Sequence, residues 1–405
     1  MSHADLVAMA RHNMAHARAG TLELAPEIAT IPAAHYVDAE RWERERARIF
    51  RRLPLMLAMS CELREPGDYK AMDVAGVPVI LARGRDGAVR AFVNQCSHRG
   101  AQLLPPGRGR TSRFTCPYHA WSYRLDGALA GVFAREEFGD FDWSCHGLAT
   151  LPCEERAGLV WVVLAETPAV DFDAFLCGYD ALLDQFRFED WHHFADRTLE
   201  GPNWKIAYDG YLDLYHLPIL HKDTFGSNFP HQTLYYAWGP HQRVASPDPE
   251  LADQLAGEPA TWPVEPLLGG VWTIFPHVSI ASFDGGGGRG VMISQLFPGE
   301  RPDQSFTVQN YVLERAPDAA QAEAATAQFS FLENVVRDED YATGLAQQRA
   351  LATGMKPRVL FGRNEGGGQR FHAWVERLLE TEDADLPGLF ERPEETVAAL
   401  EAAAP

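Results

Sequence analysis

Cys96-Ser97-His98, then seventeen residues, then Cys116-Pro117-Tyr118-His119 set two thiols and two imidazoles in two short mixed pairs. Thiolate and imidazole are the side chains that hold zinc and iron–sulfur centres. An ordinary zinc finger groups its cysteines together and its histidines together, whereas here each pair is mixed. Mixed pairs suit a [2Fe–2S] centre in which two histidines replace two cysteines on one iron, a change that raises the reduction potential. A structural zinc site made from the same residue types is the competing reading. A chain with such a cluster handles electrons, so something must receive them.

Asp213, His216 and His221 lie within nine residues. On one regular helix His216 and His221 would stand about 140° apart. Pro218 between them breaks the local hydrogen bonding and can turn His221 back. Asp213 precedes His216 by about one turn and reaches the same region. Two histidines need a carboxylate to complete the facial triad of a non-haem Fe(II) site. In residues 321–351, which have a helical period, Phe329, Leu332 and Val336 step by three and four, and a further step of four lands on Asp340. A carboxylate on an apolar stripe is costly unless it is paired or bound to metal. A salt bridge to an arginine is the alternative for Asp340. Glu339 lies about 60° off the stripe and is the fallback ligand. Asp338 falls on the other face and is expected to be solvated.

The elements that must position these groups fall into two kinds. Residues 1–40 read as a helix and a proline-containing arm, and 38–50 as a helix with Trp42, Ile49 and Phe50 turned to a core. From Leu57 short β-rich runs alternate with turns. Residues 77–81 and 89–93 flank Gly84-Arg85-Asp86-Gly87 as a hairpin, a second pair surrounds Arg124 to Gly127, and 160–164 is a buried strand. This places a small β domain at 41–165. After a linker at 167–173 come helical residues 172–187, a strand at 195–200 and a helix opening near Trp204. Strands at 271–283, 290–297 and 306–315 and the long helix complete a second domain at 166–405. The four glycines 285–288 join two strands without the context of a phosphate loop and read as a hairpin loop. No repeat of 20–50 residues is visible.

Composition narrows the classes. The 405 residues are enough for two or three domains with real cores. A formal net charge of −20 argues against nucleic acid and against anionic membrane surfaces. There is no apolar run near eighteen residues, and Met1 to Gly20 lacks the apolar core of a signal peptide, so the protein is expected in the cytoplasm. Of six cysteines, Cys61, Cys145, Cys153 and Cys177 have no ligand spacing and read as partly buried thiols rather than disulfides. No glycine-rich dinucleotide fingerprint is present.

The stretch Asn94-Gln95-Cys96-Ser97-His98-Arg99-Gly100-Ala101-Gln102-Leu103 closely resembles the Rieske domain of ring-hydroxylating oxygenase α subunits. The second run, Cys116-Pro117-Tyr118-His119-Ala120-Trp121-Ser122-Tyr123 with Asp126-Gly127, resembles it equally. Gly100 and Pro117 allow tight loops around the cluster, and Ala120 stands where glycine is frequent. Asn203-Trp204-Lys205, Asp213, Tyr215-His216 and His221 resemble the catalytic-domain signature of the same family. Glu339-Asp340 with Gln348-Arg349 resembles its third-ligand segment. The resemblance spans roughly residues 40–350. It departs at Tyr208-Asp209, where Glu-Asn is common. Asp209 thus takes the place of an Asn near the iron and could bind metal, tune the site by hydrogen bonds, or be structural.

The resemblance implies an α+β chain: a Rieske-type β domain plus a helix-grip (START-like, Bet v 1-like) catalytic domain with a central antiparallel sheet. The N-terminal helix and arm pack on the catalytic domain. It implies a [2Fe–2S] Rieske cluster on Cys96, His98, Cys116 and His119, and Fe(II) on His216, His221 and Asp340. Electrons come from NAD(P)H through a separate reductase, with or without a ferredoxin, O₂ is the cosubstrate, and the chain assembles as a homotrimer. Asp213 is implied to bridge iron-ligand His216 and the cluster-ligand His119 of a neighbouring copy. The function implied is hydroxylation of an aromatic or hydrophobic small molecule. Oxidative O- or N-demethylation, including of quaternary amines, is the alternative, and a non-catalytic electron carrier the remote one. Candidate pocket residues are Tyr208, Leu212, Leu217, Phe225, Trp272, Phe275, His277, Ile280, Phe283 and Leu296.

Overall fold

The computed structural model describes residues 2–391, apart from 141, 229, 286 and 287. It divides into two compact units. The smaller comprises 50–172 with 188–190; the larger comprises 1–49, 173–187 and the described residues from 191 onward. The boundary at 49/50 assigns the helix Ala39–Glu45 to the larger unit, beyond the limit of 40 read from the sequence.

The smaller unit is built from short antiparallel strands in a five-stranded and two three-stranded sheets. Val77–Arg83 pairs with Val89–Val93 as the hairpin reading requires, the turn closing through Gly87 at φ 83°. Ser122–Tyr123 pairs with Leu129–Gly131 around Arg124 to Gly127. Leu159–Val162 is buried along its whole length. One core cluster gathers Ala71, Ile80, Phe92, Phe114, Trp121 and Tyr123 around Cys96 and Cys116. The thiols therefore sit in the apolar interior, and the loops that carry them are anchored by strands.

The larger unit is organised on a seven-stranded antiparallel sheet. In spatial order its strands are His192–Gly201, Ser305–Leu313, Gly288–Pro298, Val278–Gly285, Val271–Ile274, His241–Ala245 and Leu234–Trp238. The single strand read at 271–283 is in fact two, which pair antiparallel across a reversal at Phe275-Pro276. Proline lacks the donor a continuing central strand needs. Gly285 lies opposite Gly288 at the end of the next hairpin; the hairpin-loop reading for Gly286 and Gly287 lies outside the described residues. The helix read at 172–187 breaks into Phe172–Leu176 and Asp180–Leu183, because Cys177 and Gly178 take left-handed φ values of 53° and 78°.

Opposed residues in adjacent strands share a face of the sheet. Gln242, Thr273, Ser279, Ser294, Gln309 and Arg197 are successive partners and form a polar row on one face. The neighbouring row, Arg243, Trp272, Ile280, Ile293, Asn310 and Asp196, therefore points the other way. The polar-row face also presents Met292, Tyr311 and Leu313, which pack on Ala325, Phe329 and Leu332 of the long helix. That helix starts at an Asp318–Gln321 capping box. It runs as Ala319–Asn334, a π-helical turn over Val335–Tyr341, and Ala342–Leu351. It covers the polar face, as a further bond from Thr307 to Tyr341 shows.

Candidate metal centres

The two cysteine loops close in the same way. The Cys96 N–H donates to the Ala101 carbonyl at 2.9 Å and the Gly100 N–H to the Cys96 carbonyl at 2.9 Å. In the second loop the Cys116 N–H donates to the Trp121 carbonyl at 2.8 Å and the Ala120 N–H to the Cys116 carbonyl at 3.0 Å. The fifth residue of each loop is left-handed, Gly100 at φ 76° and Ala120 at φ 57°. A side chain at Gly100 would meet Gln95 Nε2 at 2.8 Å. Ala120 adopts the same turn at a steric cost on the order of 1 kcal/mol, which is the physical reason glycine suits that position.

These loops bring the His98 and His119 rings to 4.7 Å between centroids, and His98 stacks on Trp121 at 4.9 Å with only 9° between planes. Cys96 Sγ lies 3.1 Å from the Tyr123 hydroxyl, which also accepts from the Ser97 N–H at 3.0 Å. Burial, ahead of its other influences, raises the Cys96 thiol, so a bound cation must pay for the thiolate. His98 Nδ1 is buried and has no hydrogen-bond partner among the described residues. An orphaned ring nitrogen beside two thiols fits a bond to metal. Cys61, Cys145, Cys153 and Cys177 are free thiols. Burial pushes Cys61 and Cys153 up to about 12 and Cys177 to about 11.

The second centre is assembled from distant segments. The helix that opens at Trp204, capped by Asn203, ends at Asp209 before Gly210. His216 and His221 therefore do not share it. They flank a separate turn of helix, Leu217–Leu220, with Pro218 in its first turn. This turn, not a bend in one long helix, aims both imidazoles at one point. His221 Nε2 lies 3.2 Å and His216 Nε2 3.7 Å from Asp340 Oδ1. One donor atom from each of the three residues lies within 4.8 Å of the others. That spacing accommodates a single ion with bonds of roughly 2.1 Å to each.

The outer nitrogens are both held by carboxylates. His216 Nδ1 is 3.1 Å from Asp213 Oδ1, which also accepts from the His216 N–H at 3.1 Å. His221 Nδ1 pairs closely with Glu339, whose two oxygens accept from the Thr224 hydroxyl at 2.8 Å. An imidazole that donates from Nδ1 presents a lone pair at Nε2. Burial by itself would lower the His221 pKa, but Asp340 and Glu339 outweigh it and raise it. The wider π turn is why Glu339 and Asp340 both reach the site; the 3.6-residue stripe had made them alternatives. Asp338 faces solvent and pairs with Arg337.

Asp209 is held elsewhere, between Tyr36 and His372. Spacing gave no signal for Tyr211, which is half-buried, lies by Ser294 and Gln309 of the polar face and Tyr341 of the long helix, and feels the charge of Asp340. Among the candidate pocket residues, the Phe225 ring lies 5.4 Å from that of His221. Leu217 belongs to the ligand-bearing turn. Tyr208 is buried, donates to the Val278 carbonyl at 3.2 Å, and meets Phe371, as does Phe275. Leu212 is buried, and its carbonyl lies under the start of the helix Gly366–Glu380. Leu296 and Phe283 share the polar-row face by register, Phe283 joining the Met292–Tyr311 cluster. His277 is buried beside Phe297. Trp272 and Ile280 are corrections: they lie on the opposite face, Trp272 against Tyr179 and Phe186. Alternation along a strand reverses the face at every residue, and the sequence alone does not say which face meets the iron helix.

Residues 54–150 match the family model of the Rieske [2Fe-2S] domain, and residues 188–381 that of the ring hydroxylating alpha subunit catalytic domain. The chain is 32% identical over 200 residues to the glycine betaine monooxygenase oxygenase subunit of Chromohalobacter salexigens, a match covering 49% of this chain and 44% of that protein. It is 34% identical over 200 residues to the anthranilate 1,2-dioxygenase large subunit of Burkholderia cepacia, covering 47% of each. The matches thus span about half the length of these curated relatives. Among solved structures, a quaternary ammonium Rieske monooxygenase superposes with a TM-score of 0.71 at 23% identity, over 89% of this chain and 100% of that one. It is described as giving insights into carnitine oxidation by gut microbiota and inter-subunit electron transfer. At that identity the likeness speaks for the fold.

Proposed function

Because this chain belongs to the ring-hydroxylating oxygenase α-subunit family, we propose that it is a terminal oxygenase that hydroxylates a small polar molecule, with a quaternary ammonium compound as the substrate class. The observation that carries the oxygenase reading is the presence of two donor sets in one chain. An electron carrier needs only the Cys96, His98, Cys116 and His119 set. The His216, His221 and Asp340 set, with a carboxylate behind each imidazole, has no use in a carrier. The balanced reaction is R–H + O₂ + 2 H⁺ + 2 e⁻ → R–OH + H₂O, with electrons from NAD(P)H through a separate reductase or ferredoxin.

Bound at these donors, a Rieske cluster supplies one-electron transfer and a mononuclear Fe(II) with open positions supplies O₂ activation. The chain's own residues do the rest. Asp213 holds His216 through Nδ1, keeps its tautomer fixed, and in a trimer reaches toward the cluster histidine of a neighbouring copy. Glu339 and Thr224 do the same for His221.

Two observations support a polar substrate. Thr273, Ser279, Ser294 and Gln309 line up on the sheet face that the iron helix covers, and the Ser279 hydroxyl has no hydrogen-bond partner among the described residues. A face built for a flat hydrocarbon would be apolar there. The similarity to a glycine betaine monooxygenase subunit points the same way, with the Phe225 ring beside His221 suited to an ammonium. Ring dioxygenation is the second reading, favoured by the similarity to an anthranilate dioxygenase subunit. The test is O₂ uptake and product mass with a surrogate reductase, comparing betaines with anthranilate and naphthalene. Coupled uptake with a betaine and release of an aldehyde is expected; coupling only with aromatic acids or hydrocarbons would replace this substrate class.

A further inference from the structure

We propose that the larger unit binds one small monovalent anion of halide size against Arg243, in a cavity between the N-terminal helix Ser2–Ala19 and the sheet, and that this anion ties the helix down. Arg243 lies on the sheet face turned away from the iron helix, so the site stands or falls apart from the oxygenase reading.

The helix turns one stripe inward. Leu6, Met9, Ala10 and Asn13 are buried at the i, i+3, i+4, i+7 spacing of a single face. Three of the four are apolar and Asn13 is not. Across the cavity the strand His241–Ala245 is buried along its whole length, and its central residue is an arginine. Arg243 and Asn13 are each only 7% exposed. Register places Arg243 between Tyr236 and Trp272, and its guanidinium carbon lies 5.9 Å and 4.8 Å from those ring centroids. Aromatic faces ease the burial of a cation without cancelling its charge.

A guanidinium has five N–H groups. Nε and Nη2 donate to the Gly269 carbonyl at 3.0 Å and 2.6 Å, and Nη1 reaches the Met9 sulfur, a weak acceptor, at 3.6 Å. Two N–H groups are left over, and among the described residues no carboxylate is bonded to Arg243. Lys205, a buried cation elsewhere in the same unit, has Glu45 against it at 2.5 Å. Burial lowers the Arg243 pKa only to about 10, so it is charged at neutral pH. Asn13 gives one N–H to the Ser246 carbonyl at 2.6 Å and accepts the Asp248 N–H at 2.8 Å, which leaves its second N–H over as well.

The cavity beside these groups is walled by Met9, Asn13, Tyr236, Arg243, Leu251 and Leu267 among others. It leaves about 10 Å³ for the centre of a water-sized sphere, room for one small species. Spare donors, an uncompensated positive charge and otherwise apolar walls suit an acceptor that donates nothing itself. Water must also donate, and the acceptors on the wall, the Asn13 oxygen and the Tyr236 hydroxyl, are already engaged with Asp248 and His12. A monatomic anion fits both the size and the charge, whereas sulfate and phosphate are too large. The bound anion gathers N–H groups from strand and helix on one charge and so holds Ser2–Ala19 to the sheet.

The test uses the metal-loaded full chain, as wild type and Arg243→Met, in sodium gluconate exchanged stepwise for sodium bromide at constant ionic strength. Wild type should gain stability along a saturating curve, by roughly 2–4 °C in the thermal midpoint of the larger unit. Amide exchange in residues 2–19 should slow over the same range. Arg243→Met should show neither change. Wild-type crystals soaked in bromide should give an anomalous-scattering peak beside the Arg243 guanidinium. That measurement needs no variant and decides the matter if Arg243→Met does not fold. No saturating bromide response in wild type, an equal response in Arg243→Met, or water alone at Arg243 in the bromide crystals would overturn the site.

Discussion

The two metal sites are built by opposite means. In the smaller unit the four donors lie between Cys96 and His119, and the loops that carry them are closed by backbone bonds of each loop to itself. In the larger unit His216 and His221 must meet a carboxylate more than a hundred residues away, and the geometry is held by side chains bracing side chains. The first design resists substitution anywhere except at the donors and the left-handed residues. The second spreads its sensitivity over carboxylates that never touch metal. Backbone closure is local and tolerant; carboxylate bracing is tertiary and fails by degrees.

The largest expected effects separate the sites. Asp340→Ala should lose the mononuclear iron, keep the cluster absorbance and abolish product; Cys116→Ala should lose the cluster absorbance, keep the mononuclear iron and also abolish product. Iron per chain with visible spectra decides, and full iron occupancy in Asp340→Ala would mean the ligand set is wrong. Next comes Asp213→Ala, which should retain both metals while turnover falls on the order of 100-fold or more. Normal coupled activity there would remove its bridging role.

Glu339 sharpens the contrast further. Glu339→Ala should weaken Fe(II) binding about 10- to 100-fold, and Glu339→Gln less, because the amide oxygen still accepts from His221. Equal affinity in all three proteins, measured by titration of the metal-stripped enzyme, would break the idea that bracing holds this site. The smallest effect belongs to the cluster loop: Ala120→Gly should stabilise the smaller unit by about 1 kcal/mol, read as a raised midpoint of its thermal transition. Gly100→Ala at the matching position should destabilise it by at least as much, since the added Cβ meets Gln95.

Legibility followed the same division. The cluster set could be read because its spacing is its geometry. The hairpins of the smaller unit were legible for a related reason: Gly87 and Gly127 mark turns between alternating runs, and both adopt positive φ. In the larger unit the stripe Phe329–Leu332–Val336 led to Asp340, yet the π turn that also delivers Glu339 has no signature in apolar period. The partnership of Asp209 with Tyr36 and His372 was not legible, since it joins positions 173 and 163 residues apart. Trp272 and Ile280 went to the other face because alternation fixes which residues share a face, not which face meets the helix.

By itself, then, the sequence determined the donor types, the cluster loops and the two-site plan, since each depends on residue chemistry and on contacts a few bonds long. Only the tertiary structure decided which carboxylate braces which imidazole, that Asp209 turns to Tyr36 and His372, and that a polar row lies beneath the iron helix. Those outcomes depend on where the long helix lands on the sheet and on one extra residue in its π turn, which are properties of packing between segments far apart in the chain.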